Sequence, residues 1–203
     1  MKPVCLVLGA GAGIGGTVAA KFASEGYHSY LCRRSDQEGL DRLIKGIEDS
    51  GGSASGSLLN AIEEDVLEEL ITKVESDVGP IEVLVYNLGA QTGMKLLSQT
   101  THKEFEWGWR MASFGLFRVA KVLCPIMAER GKGTFLVTSA TAAMRGNATQ
   151  HSHAAAMGAR RMLCQSLNAE FSSKGIHVAH IVVDGAVDAP DTLGKMLGPE
   201  MYQ

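Results

Sequence analysis

Six apolar residues run straight into a cluster of glycines near the start of the chain: residues 3–16 read PVCLVLGAGAGIGG. The run is continuous rather than alternating and holds β-branched residues, which is how a strand buried on both faces reads. Glycines stand at 9, 11, 13, 15 and 16, and helical spacing follows over 14–24, with Val18, Ala19, Phe22 and Ala23 available to one face. A strand, a glycine turn and a helix in that order present backbone N–H groups at a helix start, where they can meet the charge of a phosphate. Glycine serves such a turn by adopting unusual dihedrals and by letting the backbone approach a pyrophosphate closely. Gly11-x-Gly13-x-x-Gly16 matches the dinucleotide pattern formally. The strand ends at Leu8, however, so the turn begins at Gly9 and the frame becomes Gly9-x-x-x-Gly13-Ile14-Gly15. The competing reading, glycines that only pack tightly in a flexible loop, does not account for the strand before, the helix after and the further βα units behind.

Those units follow in alternation. A short strand is expected over 28–32 and a helix over 40–47. The Gly/Ser-rich stretch 50–57 (SGGSASGS) reads as a loop running into a weak third strand over 54–59. Then come a helix over about 62–78, a strand over 81–86 and a long helical stretch over about 101–129, with Pro125 as a kink or stop. A strand over 134–138, a helix over about 150–173 and a strand over 178–183 close the regular part. Alternation of this kind predicts an α/β fold, a parallel sheet covered by helices on both faces. No fixed repeat or boundary divides the chain, so 1–203 is read as one dinucleotide-binding domain with a short loop-rich tail over about 184–203.

The end of the second strand is where an adenosine ribose would sit. An acidic residue there favours NAD, whereas arginine accommodates the 2′-phosphate of NADP. The chain has Cys32-Arg33-Arg34-Ser35, with Asp36 one position late. NADP(H) is therefore the expected cofactor and NAD(H) the lesser alternative; the bland reading leaves both arginines as a solvated loop.

Composition narrows the partners. A net charge of −3 offers no footprint for nucleic acid or an anionic membrane, and no stretch approaches the roughly 18 unbroken apolar residues of a span. Cys5, Cys32, Cys124 and Cys164 each sit in an apolar run without CxxC spacing, so they read as buried thiols in a reducing, cytoplasmic setting. His151, His153, His177 and His180 lack recognisable metal spacing, and no nucleophile-elbow sequence surrounds Ser139.

Taken in order, these motifs resemble the short-chain dehydrogenase/reductase family. The frame Gly9, Gly13, Ile14, Gly15 is similar to its cofactor turn, with Leu8 where a threonine usually stands. Tyr86-Asn87-Leu88-Gly89 resembles its Asn-Asn-Ala-Gly motif, Asn60 falls at the adenine-contacting aspartate, and Asp184-Gly185 at its Pro-Gly turn. The resemblance implies a doubly wound Rossmann fold of about six strands, ordered 3-2-1-4-5-6, with the cofactor between strands 1 and 4. It also implies hydride transfer on a carbonyl or alcohol, and a homo-dimer or tetramer through helices about 101–129 and 150–173.

The same resemblance exposes a departure. Where the family has Tyr-x-x-x-Lys the aligned residues are His153-Ala154-Ala155-Ala156-Met157; the serine falls on Ala140, beside Ser139, and the asparagine on Ala112. The residues are similar to an atypical branch of the family, which itself generally keeps the lysine. His153 and Ser139 are the weak catalytic candidates, since a histidine titrates near pH ~6.5 and can donate a proton. Two main expectations follow: an NADP(H)-dependent oxidoreductase acting on an unknown small molecule, or a cofactor-binding protein without turnover that serves as sensor, regulator or partner subunit. A scaffold that no longer binds cofactor fits less well, because the glycine turn and Asn87-x-Gly89 survive.

Overall fold

The computed structural model of the chain describes residues 1–89, 94–185 and 187. Within them six strands pair in parallel: β1 (Val4–Leu8), β2 (His28–Arg33), β3 (Ser53–Leu58), β4 (Ile81–Tyr86), β5 (Gly133–Ala140) and β6 (Ile176–Val183). Their order is β3-β2-β1-β4-β5-β6, as expected. The helices are α1 (Ile14–Ser24), α2 (Gln37–Asp49), α3 (Val66–Asp77), α4 (His102–Trp109), α5 (Gly115–Arg130) and α6 (His151–Phe171).

All five residues of β1 are buried, which is why its apolar run does not alternate. Cys5 and Val7 point to one face, into a core shared with Ala19 and Ala23 of α1 and Leu40 and Ile47 of α2. Val4, Leu6 and Leu8 point to the other, against α3, α5 and Cys164 and Leu167 of α6. Burial pushes the thiols of Cys5, Cys32 and Cys124 up to about 12 and that of Cys164 to about 11, which leaves them unreactive at neutral pH.

Several boundaries differ from expectation. The Gly/Ser-rich stretch turns at residues 50–52 and runs into β3 as expected, with the strand one residue earlier, from Ser53 to Leu58. A Cβ on Gly56 would lie 2.3 Å from the Leu31 carbonyl oxygen and 3.1 Å from a Leu40 methyl, so smallness there reflects close packing. Helix α3 starts at Val66 rather than near residue 62, after Asp65 takes a left-handed conformation (φ +60°). Pro125 does not stop α5, which continues to Arg130. The ring removes the bond to the Lys121 carbonyl, but both residues lie on the exposed side, while Leu123, Cys124 and Met127 hold the helix on the sheet. The long helical stretch also contains a π-helical segment, Arg110–Phe114, joining α4 to α5. Of the loop-rich tail, residues 186 and 188–203 lie outside the described residues.

The continuous helical stretch His102–Arg130 is long and apolar enough to cross a membrane by length and composition alone, against the sequence-based reading that nothing approaches a span. Over half of its apolar window is buried inside the protein, however, so the apolar side chains serve the core.

Arg118 of α5 ties this layer to the loop that carries Asn60. Its Nε and Nη2 bond both oxygens of Glu68 at 2.8 and 2.5 Å, and Nη1 donates to the carbonyls of Ala61 and Glu63 at 3.2 and 2.8 Å. Hydrogen bonding from Arg118 holds the Glu68 carboxyl below its ordinary 4.5. A depressed carboxylate adds stability that is complete above the unfolded pKa and lost as pH falls through the folded one. Glu68→Gln is therefore expected to be less stable than wild type by about 1–3 kcal/mol at pH 7. Urea unfolding across pH should show that gap closing below about pH 4.5; a gap constant with pH would contradict the assignment.

Candidate functional site

The glycine turn lies at the C-terminal end of β1, where the strand order reverses between β1 and β4. Gly9 has φ +94°, and its N–H and that of Ala10 both donate to the Cys32 carbonyl at 2.9 Å, which fixes the turn to β2. The chain then doubles back so tightly that a Cβ on Gly15 would lie 2.3 Å from the Gly9 carbonyl oxygen. Helix α1 begins directly behind this contact, and Gly13 caps it without a side chain. The N–H groups of a first helical turn lack intrahelical partners. Here the Gly16 N–H is taken by the Gly11 carbonyl at 2.8 Å, while Ile14 and Gly15 line a cleft of about 310 Å³ with Gly9, Gly11, Gly13, Asn87 and Val187. Gly16, left out of the sequence frame, is also required: a Cβ there would meet the Gly11 oxygen at 2.6 Å and Leu43 of α2 at 2.9 Å.

Asn87 locks this turn to the middle of the sheet. Its Nδ2 donates to the Gly9 carbonyl at 2.9 Å, its Oδ1 accepts from Thr138 Oγ1 at 2.7 Å, and its N–H donates to Leu8 at 2.8 Å. One side chain thus joins the ends of β1, β4 and β5.

Arg33, Arg34 and Asn60 meet Gly9, Leu88 and Met111 around one hollow on the β2 side of the turn. Arg33 does not stand alone there. Its Nη2 is 2.9 Å from Asp36 Oδ2, and Asp36, at φ +72°, caps α2 by accepting from the Gly39 N–H at 2.9 Å. Arg34 is exposed. Asn60 donates through Nδ2 to Glu63 at 2.9 Å, so what it offers a ligand is its amide oxygen.

A second cavity of about 160 Å³ opens across the ends of β4, β5 and β6. Ser139, His153, Met157 and Arg160 line it with Asn87 and Gly89; Ala140 is also on its wall. Both catalytic candidates therefore reach the same space. Ser139 is buried, and its hydroxyl faces Met157 Sδ at 3.6 Å, a weak acceptor. Ala112 sits in the π-helical segment and packs in one buried cluster with Met157 and Ala140 of this wall, without lining the cavity itself.

Arg160 is the residue that sequence reasoning missed, since nothing in the adjacent arginines 160 and 161 singled it out. It is 1% exposed, the largest fully buried side chain described. Its Nε donates to Ala112 O at 2.9 Å, Nη1 to Thr138 O at 2.6 Å and Nη2 to Leu88 O at 2.7 Å, while the guanidinium carbon lies 5.1 Å from the Tyr86 ring centre. The available signal was helical spacing: 153, 157, 160, 164 and 167 fall on one stripe of α6, and a stripe ending in Cys164 and Leu167 faces inward.

A doubly wound parallel sheet, with a glycine turn at the switch point and clefts on both sides of it, defines a Rossmann-type nucleotide-binding architecture. The chain belongs to the short chain dehydrogenase family, whose pattern matches residues 3–194. It is 29% identical over 189 residues to the 3-oxoacyl-[acyl-carrier-protein] reductase FabG of Thermotoga maritima, covering 93% of this chain and 76% of that protein. A crystal structure of a short-chain dehydrogenase from Rhodopseudomonas palustris is similar at TM-score 0.84 and 32% identity, covering 89% of this chain and 84% of that one. A gluconate 5-dehydrogenase from Burkholderia cenocepacia, solved with NADP and tartrate, is similar at TM-score 0.81 and 26% identity, over 90% of this chain and 71% of that one.

Proposed function

We propose that the chain is an NADP(H)-dependent reductase of a small carbonyl compound, from an atypical branch of its family without the Tyr-x-x-x-Lys pair. The observation that carries this reading is that His153 and Ser139 line one cavity beside the glycine turn and Asn87. Gly9, Gly13, Ile14 and Gly15 would hold the pyrophosphate on the start of α1, Asn60 the adenine, and Asn87 and Gly89 the inner part of the cofactor. The Burkholderia relative, solved with NADP, supports a nicotinamide cofactor. Arg34, exposed at the hollow, supports a 2′-phosphate more directly than Arg33, which must share its guanidinium with Asp36.

When bound, the reduced nicotinamide supplies a hydride to the carbonyl carbon. The carbonyl oxygen then needs a proton, which His153 donates as general acid, and Ser139 orients that oxygen by a hydrogen bond after turning from Met157. Met157 carries no charge, so no lysine tunes the acid. That same substitution favours the second reading, a cofactor-binding protein without turnover, in which the Ser139 hydroxyl stays on the Met157 sulfur.

Assembly follows from the surface of α4 and α5. Phe105, Trp109, Phe114 and Phe117 are all more than a third exposed, and the last three stack with centroids 5.1 and 6.3 Å apart. An apolar row of this kind supports a homo-dimer through these helices, with Met162 exposed on α6 beside them in the sequence-based interface.

Titration of the purified protein with NADPH and NADH, read by fluorescence and thermal shift, tests the reading. Tighter NADPH binding is expected, and Arg34→Ala should remove most of that preference. Binding of neither at millimolar concentration would sink it. In a screen of aldehydes, ketones and quinones, His153→Phe should lower turnover by about 10²-fold or more while leaving NADPH affinity in place. Activity unchanged by that substitution would exclude the histidine as the acid, and no activity on any substrate would favour the second reading.

A further inference from the structure

Arg160 is a full positive charge held inside the protein beside the inner cavity, with no counter-ion among the described residues. Its three bonds all go to backbone carbonyls, and the groups that act on it electrostatically are Tyr86 and Cys164, not a carboxylate. Arginine does not give up its proton in proteins, so burial cannot remove the charge. Three carbonyl dipoles take three of its five N–H donors but carry no net charge, and the field of the cation persists beyond them. Surrounding groups do not cancel it. His180 on β6 is held below its ordinary value by burial and then by Arg160 and Arg161, so it stays neutral. Asp184, next to the lining residue Val183, is exposed to water and screened.

We infer that Arg160 makes this site discriminate between the two redox states of its nicotinamide cofactor, holding the neutral reduced ring and disfavouring the oxidised cation. The inference rests on the nicotinamide reading above. The two cofactor forms share their adenosine, phosphates and riboses and differ by one positive charge on the ring. Every contact at the glycine turn and the Arg33/Arg34 hollow therefore cancels in the ratio of their affinities, and what remains is the ring's own surroundings. A buried like charge at the wall of the cavity acts on the oxidised ring alone, and low polarisability around it keeps that repulsion strong. The same term raises the potential of the bound couple, so the reduced cofactor is held as a milder hydride donor and the oxidised form is released readily once it has formed.

The test is the ratio of dissociation constants for NADP⁺ and NADPH, measured by calorimetry without substrate, so that turnover plays no part. Wild type should bind NADPH at least about tenfold more tightly, equivalent to ~1.4 kcal/mol or ~30 mV for a two-electron couple. Arg160→Lys should keep the preference while the buried ammonium stays charged and lose it as pH rises through that group's lowered pKa. Arg160→Gln keeps an amide donor for the carbonyls without the charge, and its ratio should fall to within about threefold of unity. Equal binding of both forms by wild type would overturn the inference while leaving the cofactor reading intact. So would a folded Arg160→Gln protein that retains the wild-type ratio. Should Arg160→Gln fail to fold, the wild-type ratio and the pH dependence of the Arg160→Lys ratio still decide, since a lysine variant without preference even at low pH contradicts a charge effect. Binding of neither form defeats the nicotinamide reading itself and this inference with it.

Discussion

Gly15→Ala is expected to lose about 2–4 kcal/mol of stability and nearly all cofactor binding. The added Cβ would lie 2.3 Å from the Gly9 oxygen, 2.9 Å from Ala10 Cα and 3.0 Å from the Gly9 carbonyl carbon. All three are backbone atoms, so no side chain can swing away. Gly9 cannot yield either: it sits at φ +94° and is held by hydrogen bonds at both its N–H and its carbonyl. Relief requires α1 to move off β1, which opens the buried layer of Ala19 and Ala23 and displaces the N–H groups meant for the phosphates. Gly11→Ala is the matched control. Nothing lies within 4 Å of a Cβ there, so stability should change by less than about 0.5 kcal/mol. Urea unfolding and NADPH titration of both variants decide between the two frames the glycines allow. If Gly11→Ala unfolds the turn and Gly15→Ala does not, the frame beginning at Gly9 is wrong.

That frame was legible because a strand buried on both faces and a glycine turn are both local signals. Most strands and helices likewise announced themselves by period, the Gly/Ser-rich β3 only weakly, and alternation alone implied the parallel sheet. What period could not supply was the identity of a residue's partner. Arg33 looked available for a phosphate, yet Asp36, judged one place late, turns through a left-handed conformation and comes back to pair with it. Arg160 carried no mark of its own, because sequence neighbours 160 and 161 point in directions about 100° apart on a helix and their identity does not say which one is inside. The π-helical segment at 110–114 has no compositional mark, although it presents the Ala112 carbonyl to Arg160 and buries Ser113 against the Ala156 carbonyl at 2.9 Å. The candidate catalytic pair was visible as residues but not as a geometry. That Ser139 is turned toward Met157 depends on where β5 ends, and β5 runs two residues further than its apolar run, to Ala140.

Asn87 offers the second large effect, and it separates structure from binding. Asn87→Ala removes the donor to the Gly9 carbonyl and the acceptor for the Thr138 hydroxyl. Thr138 can fall back on the Tyr86 carbonyl, already 3.3 Å away, but the Gly9 oxygen is left without that donor. A loss of about 1–3 kcal/mol is expected, with NADPH affinity reduced because the turn is no longer tied to β4. Asn87→Asp is nearly the same shape and keeps the acceptor for Thr138, so packing alone would make it the milder change. Electrostatics reverses the order for binding. The new carboxylate faces the Gly9 carbonyl oxygen and stands on the wall of both the phosphate cleft and the inner cavity. Two anions brought together in a partly buried cleft repel far more strongly than in water. Asn87→Asp should therefore bind NADPH at least about tenfold more weakly than Asn87→Ala, a difference of ~1.4 kcal/mol. Thermal unfolding and calorimetric titration of the two variants check both halves of this claim. Equal affinities would mean that the cofactor's phosphates pass elsewhere and that position 87 serves the sheet alone.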